Sequence, residues 1–239
     1  MCAVSRVYLG KSPSRLPMYI DAKTEYSEAV YRKLCAFLLS KKPAPFLYRT
    51  LKRWFDLLTS AVLLILLSPV MVTVAIAVAL SSEGPVFFRQ TRIGKNQKPF
   101  VLYKFRTMTT DAPAEIPSDS FSDRKRYVTG VGRFLRRTSL DELPQLFSVF
   151  SGDMSLVGYR PLIAAESECH ALREALGVYG QRPGMTGYAQ LSGRDFVQPK
   201  NKALLDAYYV KNISFSFDLK LLFRTLFLAF FGKDNRDAE

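Results

Sequence analysis

Residues 57 to 80, LLTSAVLLILLSPVMVTVAIAVAL, contain no charged side chain. A helix needs about 20 apolar residues to cross the hydrocarbon core of a bilayer, so this run belongs in a membrane or in a very large core. Ser68-Pro69 lies at its midpoint. An interior proline removes one backbone hydrogen bond and crowds the preceding turn, at about 3 kcal/mol in a regular helix, so the helix can break sharply there. Both flanks are basic, with Lys41, Lys42, Arg49, Lys52 and Arg53 before the run and Arg89, Arg92, Lys95 and Lys98 after it. Positive residues favour the cytoplasmic side, and symmetrical flanks argue that the segment enters and leaves by one face, as a re-entrant helix hairpin. On these residues alone, a kinked transmembrane helix stands beside that reading with equal weight.

The chain has 239 residues and a formal net charge of +13. That length fits one main domain with a short extension. The charge implies an anionic partner: nucleic acid, phospholipid headgroups or a phosphorylated substrate. Cys2, Cys35 and Cys169 match no zinc or redox spacing, and His170 is the sole histidine. A zinc site and a histidine-based triad are therefore not expected, and His170 reads as a packing or surface residue.

Residues 1–48 form an extension with a helix expected around Glu25 to Leu39, followed by the linker-like Lys41-Lys42-Pro43-Ala44-Pro45. The first long apolar run begins too far from Met1 for a cleaved leader, so the amino terminus is expected to stay in the cytoplasm. Residues 49–239 make up the main domain, with the membrane segment at about 57–80 and the remainder at about 84–239. Val86 to Arg92 and Pro99 to Phe105 are rich in β-branched and aromatic residues around a Gly94-Lys95-Asn96 turn, which predicts a β-hairpin. Asp111 to Asp123 reads as a loop, and Ser139 to Phe150 as a helix stopped by Gly152. Asp218 to Phe231 predicts an amphipathic helix carrying Lys220 and Arg224 opposite a broad apolar face. Such a helix suits the lipid headgroup boundary; burial in the core is the competing reading. The fold class expected is α+β, mostly helical: a monotopic membrane protein with a re-entrant hairpin, a small β-hairpin and an interfacial helix.

The chemistry concentrates at Thr138-Ser139-Leu140-Asp141-Glu142-Leu143-Pro144, where adjacent carboxylates open a helix. Both acids have an ordinary use as caps, either in a Ser139/Glu142 capping box or with Asp141 as cap and Pro144 in the first turn. Neighbouring helical residues point about 100° apart, so the pair cannot chelate one ion symmetrically. One acid can hold a metal while the other attacks. Lys104, Arg106, Arg136, Arg160 and Arg194 supply cations suited to a diphosphate, each equally able to be a solvated surface charge.

From about Leu51 to Gly232 the chain resembles the bacterial sugar transferases, monotopic phosphoglycosyl transferases that prime glycan assembly on undecaprenyl phosphate. The resemblance is carried by Arg53-Trp54-Phe55-Asp56, Ser68-Pro69, Gly84-Pro85-Val86-Phe87-Phe88-Arg89-Gln90 and Lys104-Phe105-Arg106-Thr107-Met108. It continues through Ser139-Leu140-Asp141-Glu142-Leu143-Pro144-Gln145, Gly152-Asp153-Met154-Ser155-Leu156-Val157-Gly158 and Arg182-Pro183-Gly184-Met185-Thr186-Gly187. It implies that Ser68-Pro69 is the break of a re-entrant helix, that Asp141 attacks the sugar-linked phosphorus and that Glu142 binds Mg²⁺. Lys104, Arg136 and Arg194 fall where the family has cations around the substrate phosphates. Arg160-Pro161 fits the family's Pro-Arg-Pro element, with Tyr159 in place of the first proline.

The implied reaction moves a sugar-1-phosphate from a nucleotide diphosphate sugar, with UDP the expected nucleotide, to polyprenyl phosphate through a covalent aspartyl intermediate. It would start exopolysaccharide, capsule, O-antigen or glycoprotein glycan assembly at the cytoplasmic face of the bacterial inner membrane. Membrane phospholipid is a further expected partner. A non-catalytic, membrane-bound basic adaptor is the rival reading, and it leaves the two acids unexplained. Nucleic-acid binding has no motif in its favour.

Overall fold

The computed structural model describes residues 26–40, 45–112, 124–193 and 198–231. Within them the chain is mostly helical, with two small two-stranded sheets. Helix α1, Glu28–Ser40, forms where the sequence predicted one and buries Leu34 and Leu38 in the same apolar cluster as Leu204 and Leu205. Helix α2, Phe46–Ser81, contains the whole uncharged run and is long and apolar enough to cross a membrane. Only 17% of its most apolar window is buried inside the protein.

Helix α2 runs through Pro69 without interruption. Proline cannot donate to the carbonyl four residues back, which here belongs to Ile65. The Ser68 hydroxyl donates to that carbonyl at 2.8 Å, so the Ser-Pro pair supplies its own substitute for the missing bond.

Both ends of α2 are tied to the body of the protein by polar groups. Near its start, Arg53 donates to the carbonyls of Val149 (2.7 Å) and Phe150 (2.9 Å), and Asp56 accepts from the Leu156 amide at 3.1 Å. Lys52 and Tyr48 both reach Asp218, at 2.6 and 2.8 Å. At its end, Arg106 donates to the carbonyls of Ser82 (2.6 Å) and Glu83 (2.8 Å), groups that a helix terminus leaves without partners. Gly84 is required here twice over: its φ is +113°, and a Cβ would collide with the Arg106 guanidinium. Met71, Val74 and Val78 pack on Phe105 and Leu135 between these anchors.

The predicted hairpin is present as β1, Phe87–Ile93, antiparallel to β2, Pro99–Phe105, with Phe88 opposite Lys104. The predicted loop at Asp111 to Asp123 falls mostly outside the described residues. After a short turn of helix, α3 at Arg124–Tyr127, comes α4, Gly130–Thr138. The single helix expected from Ser139 to Phe150 is divided. Ser139 adopts a left-handed conformation (φ 58°) that ends α4, Leu140–Glu142 form a 3-10 turn, and α5 occupies Gln145–Ser151. A left-handed residue is a common helix stop, though glycine is its usual occupant. Gly152 ends α5 as expected, at φ 101°.

Strand β3, Ser155–Val157, pairs in parallel with β4, Gly184–Thr186; helix α6, Ser167–Ala175, lies between them in sequence and α7, Tyr188–Gly193, follows β4. Helix α8, Pro199–Asn212, supplies Ala203, Leu204, Leu205 and Ala207 to the centre of the core. Helix α9, Phe215–Phe231, buries Asp218 and Leu221 but exposes Phe223, Leu226 and Phe227. Lys220 and Arg224 are exposed as well, so they share the open face with the aromatics instead of opposing it. The side chain of Asp218 accounts for this, because its bonds to α2 and to Tyr209 (2.7 Å) fix which face of α9 turns inward.

Between α6 and α8, Arg173 donates twice to one oxygen of Asp206, at 2.9 and 2.6 Å, with both side chains almost fully buried. Removing one partner of such a pair strands a charge, so Asp206→Ala should destabilise the fold by about 3–5 kcal/mol. Denaturation of the detergent-solubilised protein measures this directly; a change within experimental error would contradict it.

Candidate active site

The 3-10 turn Leu140–Glu142 presents Asp141 and Glu142 about 120° apart, as its three residues per turn require. Neither of the two expected caps forms: Ser139 makes no side-chain capping bond, and Pro144 rather than Asp141 occupies the cap position of α5. The two carboxylates are thereby left for other uses. Asp141 is 8% exposed, and the side chain of Glu142 is 24% exposed.

Three of the five cations singled out in the sequence meet here. Lys104, from β2, donates to Glu142 Oε1 at 2.6 Å. Arg160, just beyond β3, places a guanidinium nitrogen 3.8 Å from the same oxygen. Arg136, in the last turn of α4, donates through Nε to the Thr107 hydroxyl at 2.9 Å and acts electrostatically on Asp141. The helix carrying it can approach because residue 132 is glycine: a Cβ there would collide with the Thr107 carbonyl. Arg194 lies outside the described residues. Arg106 is not at the site, because it is committed to the end of α2.

These surroundings push the two acids apart. Burial raises the Asp141 carboxyl to about 6, against the pull of Lys104 and Arg136 and with the repulsion of Glu142 added. Burial acts upward on Glu142 too, but Lys104, Arg160 and a hydrogen bond from Gln145 outweigh it and hold the group well below the usual carboxylate range. Adjacent acids with opposite displacements suit different tasks.

A supporting chain stands behind Glu142. Asp206 orients Arg173, whose Nη1 donates to the Arg160 carbonyl at 2.9 Å and so fixes the loop that brings Arg160 to the site. Tyr159 is fully buried beneath it, with its ring edge-on to Tyr179 at 5.5 Å and the Arg173 guanidinium 5.1 Å from the ring centroid. Sequence reasoning gave no role to Thr107, Gln145, Arg173 or Asp206. The first two lie inside quoted motifs, whereas Arg173 and Asp206 are brought together only by tertiary packing. His170 contacts the Tyr179 hydroxyl and the Ile163 carbonyl, in keeping with a packing role.

Among the described residues no group of three or more His, Cys, Asp or Glu side chains converges as a metal cage. Mg²⁺ does not need one, because it commonly binds one or two carboxylates and completes its shell with substrate phosphates and water. The exposed edge of Glu142 beside Asp141 fits that kind of site.

The sequence profile of the family described as bacterial sugar transferase matches residues 47–232. A UDP-glucose:undecaprenyl-phosphate glucose-1-phosphate transferase of Escherichia coli is 42% identical over 194 residues, which is 77% of this chain and 41% of that protein. An uncharacterized sugar transferase of Bacillus subtilis, EpsL, is 44% identical over 177 residues, covering 74% of this chain and 85% of its own length. An undecaprenyl-phosphate galactose phosphotransferase of Salmonella typhimurium is 37% identical over 226 residues, 88% of this chain and 46% of the relative. The chain thus spans less than half of the Escherichia coli and Salmonella proteins. Its match to the profile nevertheless takes in α2, the hairpin, both acids and every cation described at the site, and the chain belongs to the bacterial sugar transferase family.

Proposed function

We propose that this chain transfers a sugar-1-phosphate from a nucleotide diphosphate sugar, a UDP-sugar, to undecaprenyl phosphate. The observation that carries the reading is the pair Asp141 and Glu142 on one turn, ringed by Lys104, Arg136 and Arg160 and attached to a long apolar helix. The acceptor is the one in the names of the Escherichia coli and Salmonella relatives, and the donor nucleotide is the one in the former.

In the first displacement a carboxylate oxygen of Asp141 bonds to the sugar-linked phosphorus while the bond to the bridging diphosphate oxygen breaks, releasing a nucleoside monophosphate. In the second, an oxygen of the lipid phosphate attacks the same phosphorus, and the Asp141 carboxylate leaves. No proton need be removed from the nucleophile, since Asp141 is ionised above about pH 6. Lys104, Arg136 and Arg160 are arranged to bind the anionic oxygens of the donor and to offset charge in the transition state. Glu142 would hold Mg²⁺, which would supply further neutralisation of the diphosphate. The adaptor reading leaves unexplained why a buried carboxylate is kept beside a paired one.

We also propose that α2 is re-entrant and that the active site faces the cytoplasm at the inner membrane. What supports this is the attachment of both helix ends, through Arg53, Asp56 and Arg106, to one body. A spanning helix would have its ends in different compartments. The exposed face of α9, with Phe223 and Phe227 beside Lys220 and Arg224, suits the headgroup layer of the same leaflet.

Asp141→Asn should abolish turnover, and mass spectrometry of the native enzyme with nucleotide sugar but no lipid should find a phosphosugar on the peptide containing residue 141. Full activity of the variant, or no adduct, would remove Asp141 as nucleophile. Glu142→Gln should raise the Mg²⁺ concentration needed for half-maximal rate, because an amide oxygen is a poorer ligand for a hard cation.

The raised Asp141 value also has a sign. Ionising this buried group costs stability, a cost absent below its unfolded value near 3.8 and complete above about 6. Metal-free Asp141→Asn should therefore melt higher than the native protein at pH 8 and match it at pH 4, while native turnover should fall as pH drops through 6. An Asn variant less stable at pH 8 would contradict this.

For topology, cysteines placed at Thr50 and Ser82, in a background lacking Cys2, Cys35 and Cys169, should both be shielded from a membrane-impermeant thiol reagent added outside the inner membrane. Labelling of either one from outside would sink the re-entrant reading.

A further inference from the structure

A second concentration of positive charge lies away from the two acids. Arg49, Lys52, Arg53, Lys95 and Arg182 line an open cleft of roughly 430 Å³, counted out to the solvent at its mouth. The cleft sits between the start of α2, the tip of the β1–β2 hairpin and the segment before β4. Lys95 is at that tip, whereas Lys104 pairs with Phe88 near the hairpin's base. Some six residues of strand at about 3.3 Å each separate the two ends, so Lys95 lies roughly 20 Å from Lys104 along the hairpin.

The cations in this cleft are not used up by the fold. Lys52 is matched by Asp218. Arg53 and Arg182 are held by neutral carbonyls, those of Val149, Phe150 and Gly152, with the carboxylates of Asp56 and Asp153 acting on Arg53 from nearby. Arg49 and Lys95 have neither a side-chain hydrogen bond nor an ion pair among the described residues, and Arg49 Nε is buried without a partner. Burial and the neighbouring cations Arg182 and Arg49 both depress the Lys95 ammonium, and burial and Arg182 do the same to Arg53. A fold that crowds cations and leaves two of them unmatched is arranged for an anion supplied from outside.

The position of the cleft indicates which anion. On the two turns of α2 that carry Arg49, Lys52 and Arg53 inward, the opposite face exposes Leu47, Leu51, Trp54 and Leu58, spaced four, three and four residues apart. That stripe continues into the uncharged run as Val62 and Ile65. Trp54 stands within this stripe, on the same turns as the basic residues, and an exposed tryptophan beside basic side chains is the composition of the layer where acyl chains give way to headgroups. The cleft opens on the other side of the same turns, at the depth of lipid phosphates.

We infer that this cleft binds the phosphate of an anionic phospholipid headgroup, at a site separate from the one that carries out transfer. Arg49 and Lys95 are its cations without an ion pair among the described residues, and Arg53 and Arg182 form its wall. The inference rests on the membrane seating of α2 and is independent of the transfer chemistry. A bound headgroup would brace the start of α2 against the hairpin tip and favour membranes rich in anionic lipid.

The test uses the full chain in neutral detergent, with native mass spectrometry or calorimetry reading the binding of three probes: dihexanoyl phosphatidylglycerol, dihexanoyl phosphatidylcholine and inorganic phosphate. The glycerol lipid should bind better than the other two. Arg49→Gln with Lys95→Gln should weaken its binding by roughly tenfold or more, since each basic residue near anionic lipid contributes on the order of 1 kcal/mol. Arg49→Lys with Lys95→Arg should retain it, which separates loss of charge from loss of structure. Turnover in detergent should be the same in both variants, so failure here is distinguishable from failure of the proposed transfer activity. Equal binding of inorganic phosphate would replace the lipid with a soluble anion and overturn the assignment. Phosphatidylglycerol binding that is undiminished in the glutamine pair would overturn the site altogether.

Discussion

Attachment of α2 at both ends is the constraint on which the rest of the structure depends. An apolar helix with an exposed surface gains nothing from contact with lipid that would fix it relative to a catalytic body, so the fixing must come from polar bonds at its termini. Arg106 supplies them at the far end, and Arg53, Lys52 and Asp56 do so at the near end. The Arg106 bond has a second effect. In sequence Arg106 lies between Lys104, which reaches Glu142, and Thr107, which holds Arg136. The segment that terminates the long apolar helix is therefore the segment that positions two cations of the site. The seating of α2 and the geometry of the site are set by one short stretch of backbone.

The two acids owe their difference to this arrangement rather than to their chemistry. A 3-10 turn directs successive side chains about 120° apart, so one carboxylate goes into the protein and the next meets Lys104 and Arg160. Loss of water dominates at the first and opposite charge at the second. The left-handed Ser139 creates the turn, because it ends α4 three residues before a helix can restart past Pro144. Had the expected continuous helix formed, the acids would have served as caps at an ordinary helix start.

Much of the fold was legible because its signals are local. Segments rich in β-branched and aromatic residues on either side of Gly94-Lys95-Asn96 mark the hairpin, Gly152 marks a helix end, and the uncharged run marks α2. Lys104, Arg136 and Arg160 were identifiable as a group by their charge and by the family resemblance, although the meeting of Lys104 and Arg160 at the Glu142 carboxylate, with Arg136 acting on Asp141, is a tertiary fact. Other features had no local trace. Serine is an uncommon residue for a left-handed helix stop, so its pattern did not reveal the division after α4. Arg106 has the same side chain as Arg136, and only the position of the end of α2 distinguishes a helix cap from a residue of the candidate site. The open face of α9 follows from Asp218, whose partners Tyr48 and Lys52 lie some 170 residues earlier.

The basic residues also divide by whether the fold neutralises them, which net charge alone does not reveal. Arg173 is matched by a buried aspartate, and Arg106 is absorbed by helix-end carbonyls; both are structural despite their charge. Lys104 and Arg160 share one carboxylate, a balance that an incoming anion can alter by competing for the same donors. Arg49 and Lys95 are matched by nothing among the described residues. These three conditions form a series from permanent neutralisation, through exchangeable pairing, to unfilled capacity. Carbonyls and buried aspartates hold their cations as long as the fold lasts, whereas a paired surface carboxylate yields to a stronger anion, and an unmatched pair of cations attracts one from solution or membrane. The large positive charge is thus distributed unevenly about α2: its far end is sealed, its near end opens on the basic cleft, and the exchangeable pairing lies where the hairpin meets the turn of Asp141 and Glu142.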